Sequence, residues 1–324
     1  MLPSYVSGAI IYSNLLMLLS IGFTFAYLTA KVPNFAHGGN AAIGIYATFT
    51  IVRILDLNPY WAILLAFPIC GLTSALVYKG VIQALKRRGA GLISLSVATI
   101  AAQMMIYASV NIYADYMRGL AGAYARVFLF RNEDFEALRL PGVLLVSTVL
   151  AVTIIALLHV MLTKTKFGIA TRATVENADL AGTLGIDTEL VSLVSWFLTG
   201  GLAGIAGSLL PLWFQSTPYT GALMLMSVFS ASVVGGMSSI YGAMVGGYVI
   251  GLTEVLGTSF LADRLGSWVL PYRLLIPLIA MFIILLRVPE GFAGIAEKID
   301  ISQIRQSVFS LLSTFVGRRE SPDA

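Results

Sequence analysis

Charge is what this chain has least of. Only 11% of its 324 residues are Asp, Glu, Lys or Arg, against 58% hydrophobic, whereas a soluble domain carries about a quarter charged residues. Cysteine occurs once, as Cys70, which excludes a disulfide framework and a cysteine-based metal site. Histidine occurs twice, as His37 and His159, and no H-E-x-x-H pair exists. The chain has no G-x-x-x-x-G-K-S/T loop for the phosphates of ATP, no G-x-S-x-G elbow and no D-x-D/N-x-D/N-G loop for calcium. No catalytic residue, metal ligand or cofactor is therefore assigned to it. The net charge of +4 reads as membrane topology rather than nucleic-acid binding.

What is present is long apolar runs. Several reach the roughly 20 residues that a helix needs to cross the hydrocarbon core. They are continuous rather than alternating, which selects helices over a barrel. Runs near 7–30, 36–55, 60–79, 91–113, 142–162, 190–212, 221–236, 240–256 and 272–287 predict an all-α, polytopic transmembrane bundle of about eight or nine spans. The pair 221–236 and 240–256 is short and reads as two tilted spans or a re-entrant hairpin. The first run begins near Ser7, has no basic residue before it and outruns a signal peptide. Lysine and arginine bias places Lys86–Arg88 and Lys164–Arg172 on the cytoplasmic side. That puts the N-terminus outside and the C-terminus in the cytoplasm.

Residues 1–290 read as the membrane domain and 291–324 as an amphipathic cytoplasmic tail. Along the tail Ile295, Ile299, Ile304, Val308, Leu311, Leu312 and Phe315 recur at roughly helical spacing, the pattern of a helix lying in the lipid interface. The outer loop 114–141 carries Tyr113 at its edge, Tyr116, Tyr124 and charges of both signs. It reads first as a solvated loop with interfacial tyrosines, and second as a small cap.

Glycine is plentiful, at 31 residues, and clusters inside spans. Gly200 to Gly204, Gly242 to Gly246 and Gly247 to Gly251 each form G-x-x-x-G, which lets helix backbones approach closely. Gly235 and Gly236 read the same way, or as part of a broken helix lining a substrate path. Pro33 and the pair Gly38–Gly39 argue for an interrupted helix at Asn34–Asn40. There Asn34, His37 and Asn40 either satisfy freed backbone groups or border the pathway. Glu254 is acidic within an apolar run. It is a functional candidate by default, or it meets water at the outer end of its span.

The interval 163–189 is polar and longer than a connector. Ala170 to Leu184 reads as one helix with Ala173, Ala178, Ala181 and Leu184 on an apolar face and Gly185 as its stop. An alanine-rich face without large aromatics suits docking on protein better than anchoring in lipid.

Three segments resemble the LivH-like permeases of ABC importers of the branched-chain amino acid type. They are N-F-A-H-G at 34–38, F-G-I-A-T-R-A at 167–173 with E-N-A-D-L-A-G-T-L-G-I at 176–186, and V-V-G-G-M-S-S-I-Y-G-A-M-V-G-G at 233–247. Gly39 and Asn40 depart from the acidic or bulky residue usual after the first. The resemblance implies no enzyme activity in this chain and a division of labour. Two ATPase subunits would bind ATP-Mg and dock on the coupling segment, with Phe167 and Gly168 as its hinge and Arg172, Glu176, Ala178, Ala181, Gly185 and Ile186 in the contact. A second permease subunit, an extracytoplasmic binding protein and surrounding lipid would complete the system. The implied cargo is a branched-chain or related hydrophobic amino acid, with urea or short amides as the alternative. An ion-coupled secondary transporter would want more intramembrane ionisable residues than Glu254 supplies.

Overall fold

A computed structural model gives the fold of residues 3–121 and 125–298. In order, the helices are α1 (Ser4–Ala30), α2 (His37–Arg53), α3 (Trp61–Val77), a π-helical turn (Tyr78–Gln83), α4 (Ala84–Arg87) and α5 (Leu92–Ala121). There follow two-residue strands β1 (Glu136–Ala137) and β2 (Leu140–Pro141), paired antiparallel. Next come α6 (Gly142–Lys164), α7 (Lys166–Glu176), α8 (Ala178–Thr183), α9 (Thr188–Leu209), α10 (Thr220–Gly235), α11 (Ile240–Leu265), α12 (Leu275–Arg287) and α13 (Gly291–Lys298).

Helix α1 is the axis of the bundle. Its most apolar stretch is 94% buried, against 33% or less in the spans built on α3, α5, α6, α11 and α12. It packs against α6, α9, α10 and α11. Small residues make this possible. A Cβ on Gly247 would lie 2.6 Å from the Met17 Cα, and one on Gly251 2.6 Å from the Ser13 Cα. These pairs also set α11 antiparallel to α1. The 247–251 motif is thus a helix-packing seam. Hydroxyls within α1 bond back to their own helix, as Ser13 does to the Ala9 carbonyl and Ser20 to that of Leu16.

The bundle has two ends. The basal end carries Ala30, Lys164 and Gly236; the apical end carries Arg53, Phe130 and Leu265. At the basal end Lys86 Nζ donates to the Ala30 carbonyl at 2.7 Å, and Lys31, at φ 57°, turns the chain out of α1. The chain then runs back into the bundle, and α2 begins beside Gly22 and Leu19 of α1. Gly22 precedes Ala30 by eight residues, which is about 12 Å of helix. Helix α10 begins inside the bundle too, entering from the apical end. Ser216 pairs with Phe128 in a bridge, and Thr217–Tyr219 then lead inward to Gly221 beside Gly38.

Seven helices among the described residues are long and apolar enough to cross a membrane. Two of the nine expected spans, 36–55 and 221–236, are the shorter helices α2 and α10, which start within the bundle. The pair 221–256 is not a re-entrant hairpin, because α11 continues to Leu265 and runs the full depth. The sequence signal for α11 fades early because Glu254 and Asp263 interrupt it.

The apical loop is a folded cap rather than a solvated loop. Phe128 and Phe130 are buried and pack on Phe49 of α2, with centroids 4.9 and 6.1 Å away. The Phe130 amide donates to the Pro211 carbonyl at 2.7 Å, and the Arg131 guanidinium lies 4.0 Å over the Trp213 ring. Asp134 accepts from the Val143 amide at the start of α6 (3.0 Å) and from the Tyr60 hydroxyl (2.5 Å). Burial, reinforced by that carboxylate, pushes the Tyr60 phenol pKa up. Two of the tyrosines that drew attention in sequence lie elsewhere. Tyr113 bonds Thr50 at 2.6 Å and Tyr116 is exposed; Tyr124 is outside the described residues. Of the predicted tail only Gly291–Lys298 is described, and the stripe from Ile299 to Phe315 lies outside.

Candidate functional site

The interrupted segment assembles where the start of α2 meets the start of α10. A Cβ on Gly38 would overlap the Gly221 carbonyl, and a Cβ on Gly221 would overlap that of Gly38. Only glycine at both positions lets these helices touch by their backbones. The approach to α2 is fixed by Thr99, whose hydroxyl receives the Phe35 amide (3.2 Å) and donates to the Pro33 carbonyl (3.1 Å). Gly39 donates its amide to Gln103 Oε1 of α5 at 2.6 Å. His37 Nε2 lies 3.0 Å from the Leu19 carbonyl. A carbonyl only accepts, so Nε2 carries the proton there and Nδ1 is left as an acceptor.

Asn34, His37 and Asn40 are fully buried. Among the described residues the side-chain amides of both asparagines and His37 Nδ1 have no hydrogen-bond partner. Buried polar groups are normally satisfied. The cluster thus offers unspent neutral donors and acceptors beside two helix starts. Its members Asn34, His37, Gly38, Gly39 and Asn40 come together as one unit.

The other pathway candidates do not join it. Gly235 and Gly236 lie at the basal end. A Cβ on Gly235 would overlap the Gly242 carbonyl, and Gly236, at φ 97°, sits against Glu290 and Ala293. These glycines join α10, α11 and α13. Glu254 lies on the apical side and is 1% exposed, so it is not an end residue in contact with water. Its carboxylate accepts from the Tyr12 hydroxyl at 3.0 Å and pairs with Arg273 at 3.4 Å. Sequence reasoning did not pair Arg273 with Glu254. A short connection between oppositely charged residues was the available signal.

On the far side of α2 an apolar cleft of about 700 Å³ opens between α2, α3 and α5, bordered by Ile69, Ile106 and Tyr113 among others.

The coupling segment forms two helices, not one. Thr165 caps α7 through the Gly168 amide at 3.2 Å. Asn177 adopts an extended conformation, and its side chain caps α8 through the Leu180 amide at 3.0 Å. Asparagine competes for that role better than it continues a helix. At the other end the Ile186 amide returns to the Ala181 carbonyl and the Gly185 amide to that of Gly182, a Schellman closure with Gly185 at φ 84°. Asp187 then caps α9 through Leu190 at 2.9 Å.

This pattern sorts the predicted contact residues. Gly168 and Ala181 are buried, and Phe167 and Ile186 are half-buried. Arg172 donates to the Leu162 carbonyl. Glu176, Ala178 and Gly185 are exposed. The outward apolar groups include Ile169, 58% exposed, on α7, and Leu180, 57% exposed, and Leu184, 73% exposed, at α8. The expected alanine face therefore turns partly inward at Ala181. Leu180 had been passed over because it lies off the alanine spacing. Close by, Glu189 of α9 pairs with Arg87 at 2.6 Å.

The fold and these sites define a multi-pass helical membrane permease. Residues 5–285 match the family described as branched-chain amino acid transport system / permease component, and the chain belongs to that family. It is 40% identical over 293 residues to the probable branched-chain amino acid transport permease protein LivH of Methanocaldococcus jannaschii, covering 90% of this chain and 93% of that protein. The high-affinity LivH permease of Salmonella typhimurium is 29% identical over 86% of this chain and 91% of its own length. A shorter likeness, 33% over 133 residues, reaches the autoinducer 2 import system permease LsrC of Escherichia coli, covering 40% of this chain and 37% of that protein. No solved structure matches the chain.

Proposed function

We propose that this chain is a membrane-spanning subunit of an ATP-driven, binding-protein-dependent importer for branched-chain or related hydrophobic amino acids. The observation that carries this reading is the capped α7–α8 platform at the basal end. It presents Leu180 and Leu184 outward, joins α6 and α9 directly, and belongs to a chain with no nucleotide motif. Two partner ATPases, each with ATP-Mg, would take hold of this platform. Their closure would pass to α6 and α9 as a rigid-body push. The basal end is then cytoplasmic, in keeping with Lys86–Arg88 and Lys164–Arg172. The apical cap would face the extracytoplasmic binding protein, and a second, different permease subunit would complete the route. Neutral polar groups at Asn34, His37 and Asn40 suit a cargo that must bind weakly and leave.

The test is uptake of radiolabelled leucine into proteoliposomes holding the chain, its candidate ATPases and second permease, and the binding protein. Uptake that requires ATP supports the reading. Uptake that persists without ATP and follows a proton or sodium gradient overturns it.

A further inference from the structure

Helix α5 presents two unlike faces. Ala102, Ile106 and Tyr113 turn to the apolar cleft. Beside them Gln103, Tyr107 and Asn111 recur every four residues, which places them on one stripe. All three lie in the middle of the span Leu92–Leu120. Gln103 and Asn111 are half-buried and Tyr107 is 38% exposed. Asn111 Nδ2 donates back to the Tyr107 carbonyl of its own helix at 2.9 Å, but its amide oxygen and the Tyr107 phenol are costly against lipid, where polar side chains usually face a bundle interior or a water-filled cavity.

The stripe has a definite address. Gln103 holds the Gly39 amide at 2.6 Å. The Tyr107 ring meets that of Tyr219 edge-on, with centroids 5.7 Å apart. Tyr219 is itself 51% exposed at the start of α10. One continuous surface thus runs from the start of α2 to the start of α10 along α5. From Gln103 to Asn111 it holds amides and phenols, and exposed apolar groups flank it at Met104 and Leu223; four residues beyond Asn111 the same spacing reaches Asp115, which pairs with Arg126 at 2.8 Å.

Resting on the importer reading, we propose that the Gln103–Tyr107–Asn111 stripe with Tyr219 is this subunit's wall of the translocation route, wetted during transport. Its amides and phenols would meet the ammonium and carboxylate of a zwitterionic amino acid, and Met104 and Leu223 its apolar side chain. A wall without fixed charge suits passage, because conduction needs binding weak enough to release.

Thiol labelling tests this in the complete transporter. The native Cys70 is fully buried, so the wild type is the blank. Tyr107→Cys and Asn111→Cys are compared with Leu157→Cys, on an exposed face of α6. A charged, membrane-impermeant methanethiosulfonate reacts with thiolates, which need water to form. It should label the two stripe positions about tenfold faster than the control, a margin that separates a wetted site from one facing hydrocarbon. The rate should change between nucleotide-free and ATP-vanadate complexes. In parallel, Tyr107→Phe and Asn111→Leu should lower leucine uptake per ATP hydrolysed by about tenfold, the scale of one or two hydrogen bonds.

Stripe thiols that label no faster than Leu157→Cys in both nucleotide states overturn the proposal, as do stripe variants with unaltered uptake per ATP. Oxidative cross-linking of the stripe thiols to the second permease without labelling marks a dry subunit contact and overturns it too. Failure of the importer reading looks different, since the wild type itself then shows no ATP-dependent uptake.

Discussion

Arg273 reaches the carboxylate of Glu254 at 3.4 Å from a position at the apical end, with 41% of the arginine side chain exposed and 1% of the glutamate. The pair ties the start of α12 to α11, and Tyr12 ties α1 to the same carboxylate at 3.0 Å. Removing the cation leaves the buried carboxylate without its partner; because the arginine is 41% exposed, the cost falls below the roughly 3–5 kcal/mol of a fully buried pair. Arg273→Ala should therefore lower the thermal midpoint in detergent more than Glu254→Gln, which removes the charge itself. Tyr12→Phe should cost about 1 kcal/mol, the net worth of one hydrogen bond. A melting series with Arg273→Ala indistinguishable from wild type would show that the pair does not hold the helices together.

Gly38 and Gly221 should each resist even a methyl group. Each faces the other's backbone carbonyl, which cannot rotate away. Gly38→Ala and Gly221→Ala should destabilise by about 1–3 kcal/mol, the usual cost of overpacking. Gly80 is the control, since nothing lies within 4 Å of a Cβ there. Gly80 lies in the π-helical turn, and Gly80→Ala should be neutral or stabilising by at most about 0.5–1 kcal/mol, the gain for glycine in a helix interior. Equal melting points for all three alanine variants would rule out the close crossing of α2 and α10.

Much of this was legible from residues alone. Continuous apolar runs select helices in a bilayer because their backbones must be satisfied internally, so the span starts come within a few residues, while α5 and α11 run on past their predicted ends to Ala121 and Leu265. The break at Asn34–Asn40 was legible from Pro33 and the glycine pair. That α10 starts inside the bundle was not, because Thr217–Thr220 carries Pro218 but no glycine pair, and the matching Gly221 reads as an ordinary helical residue. Gly235 and Gly236 read from sequence as packing or as pathway residues, and their contacts with Gly242 and Ala293 are packing contacts. Gln103 and Tyr107 escaped notice because single polar residues scattered through an apolar run give no signal until the four-residue spacing is set against a neighbour.

The basal platform makes a separate prediction. Leu180 and Leu184 are exposed while Ala181 between them is buried. Leu180→Asp and Leu184→Asp should abolish co-purification of the ATPases yet leave membrane insertion and melting unchanged, since surface substitutions cost about 0.5 kcal/mol or less. Ala181→Asp should instead lower stability, because it buries a charge. If the leucine variants retain the ATPases fully, the docking surface lies elsewhere on this end.

Asn177 should control how firmly α8 is held. Its side chain accepts the Leu180 amide at 3.0 Å and starts a helix of only six residues. So short a helix has little intrinsic stability, and its two ends, Asn177 and the closure at Gly185, keep it formed. Asn177→Ala should cost about 1 kcal/mol, a roughly fivefold rise in local opening. Hydrogen exchange at Ala181 to Ile186 should quicken by that factor while exchange in α1 stays slow. Asn177→Asp, which keeps the capping oxygen, should restore protection. A platform loosened in this way still binds but transmits less push. Leucine uptake per ATP should therefore fall in Asn177→Ala more than ATPase co-purification does. Equal losses in both would mean that Asn177 acts through the contact surface and not through the rigidity of α8.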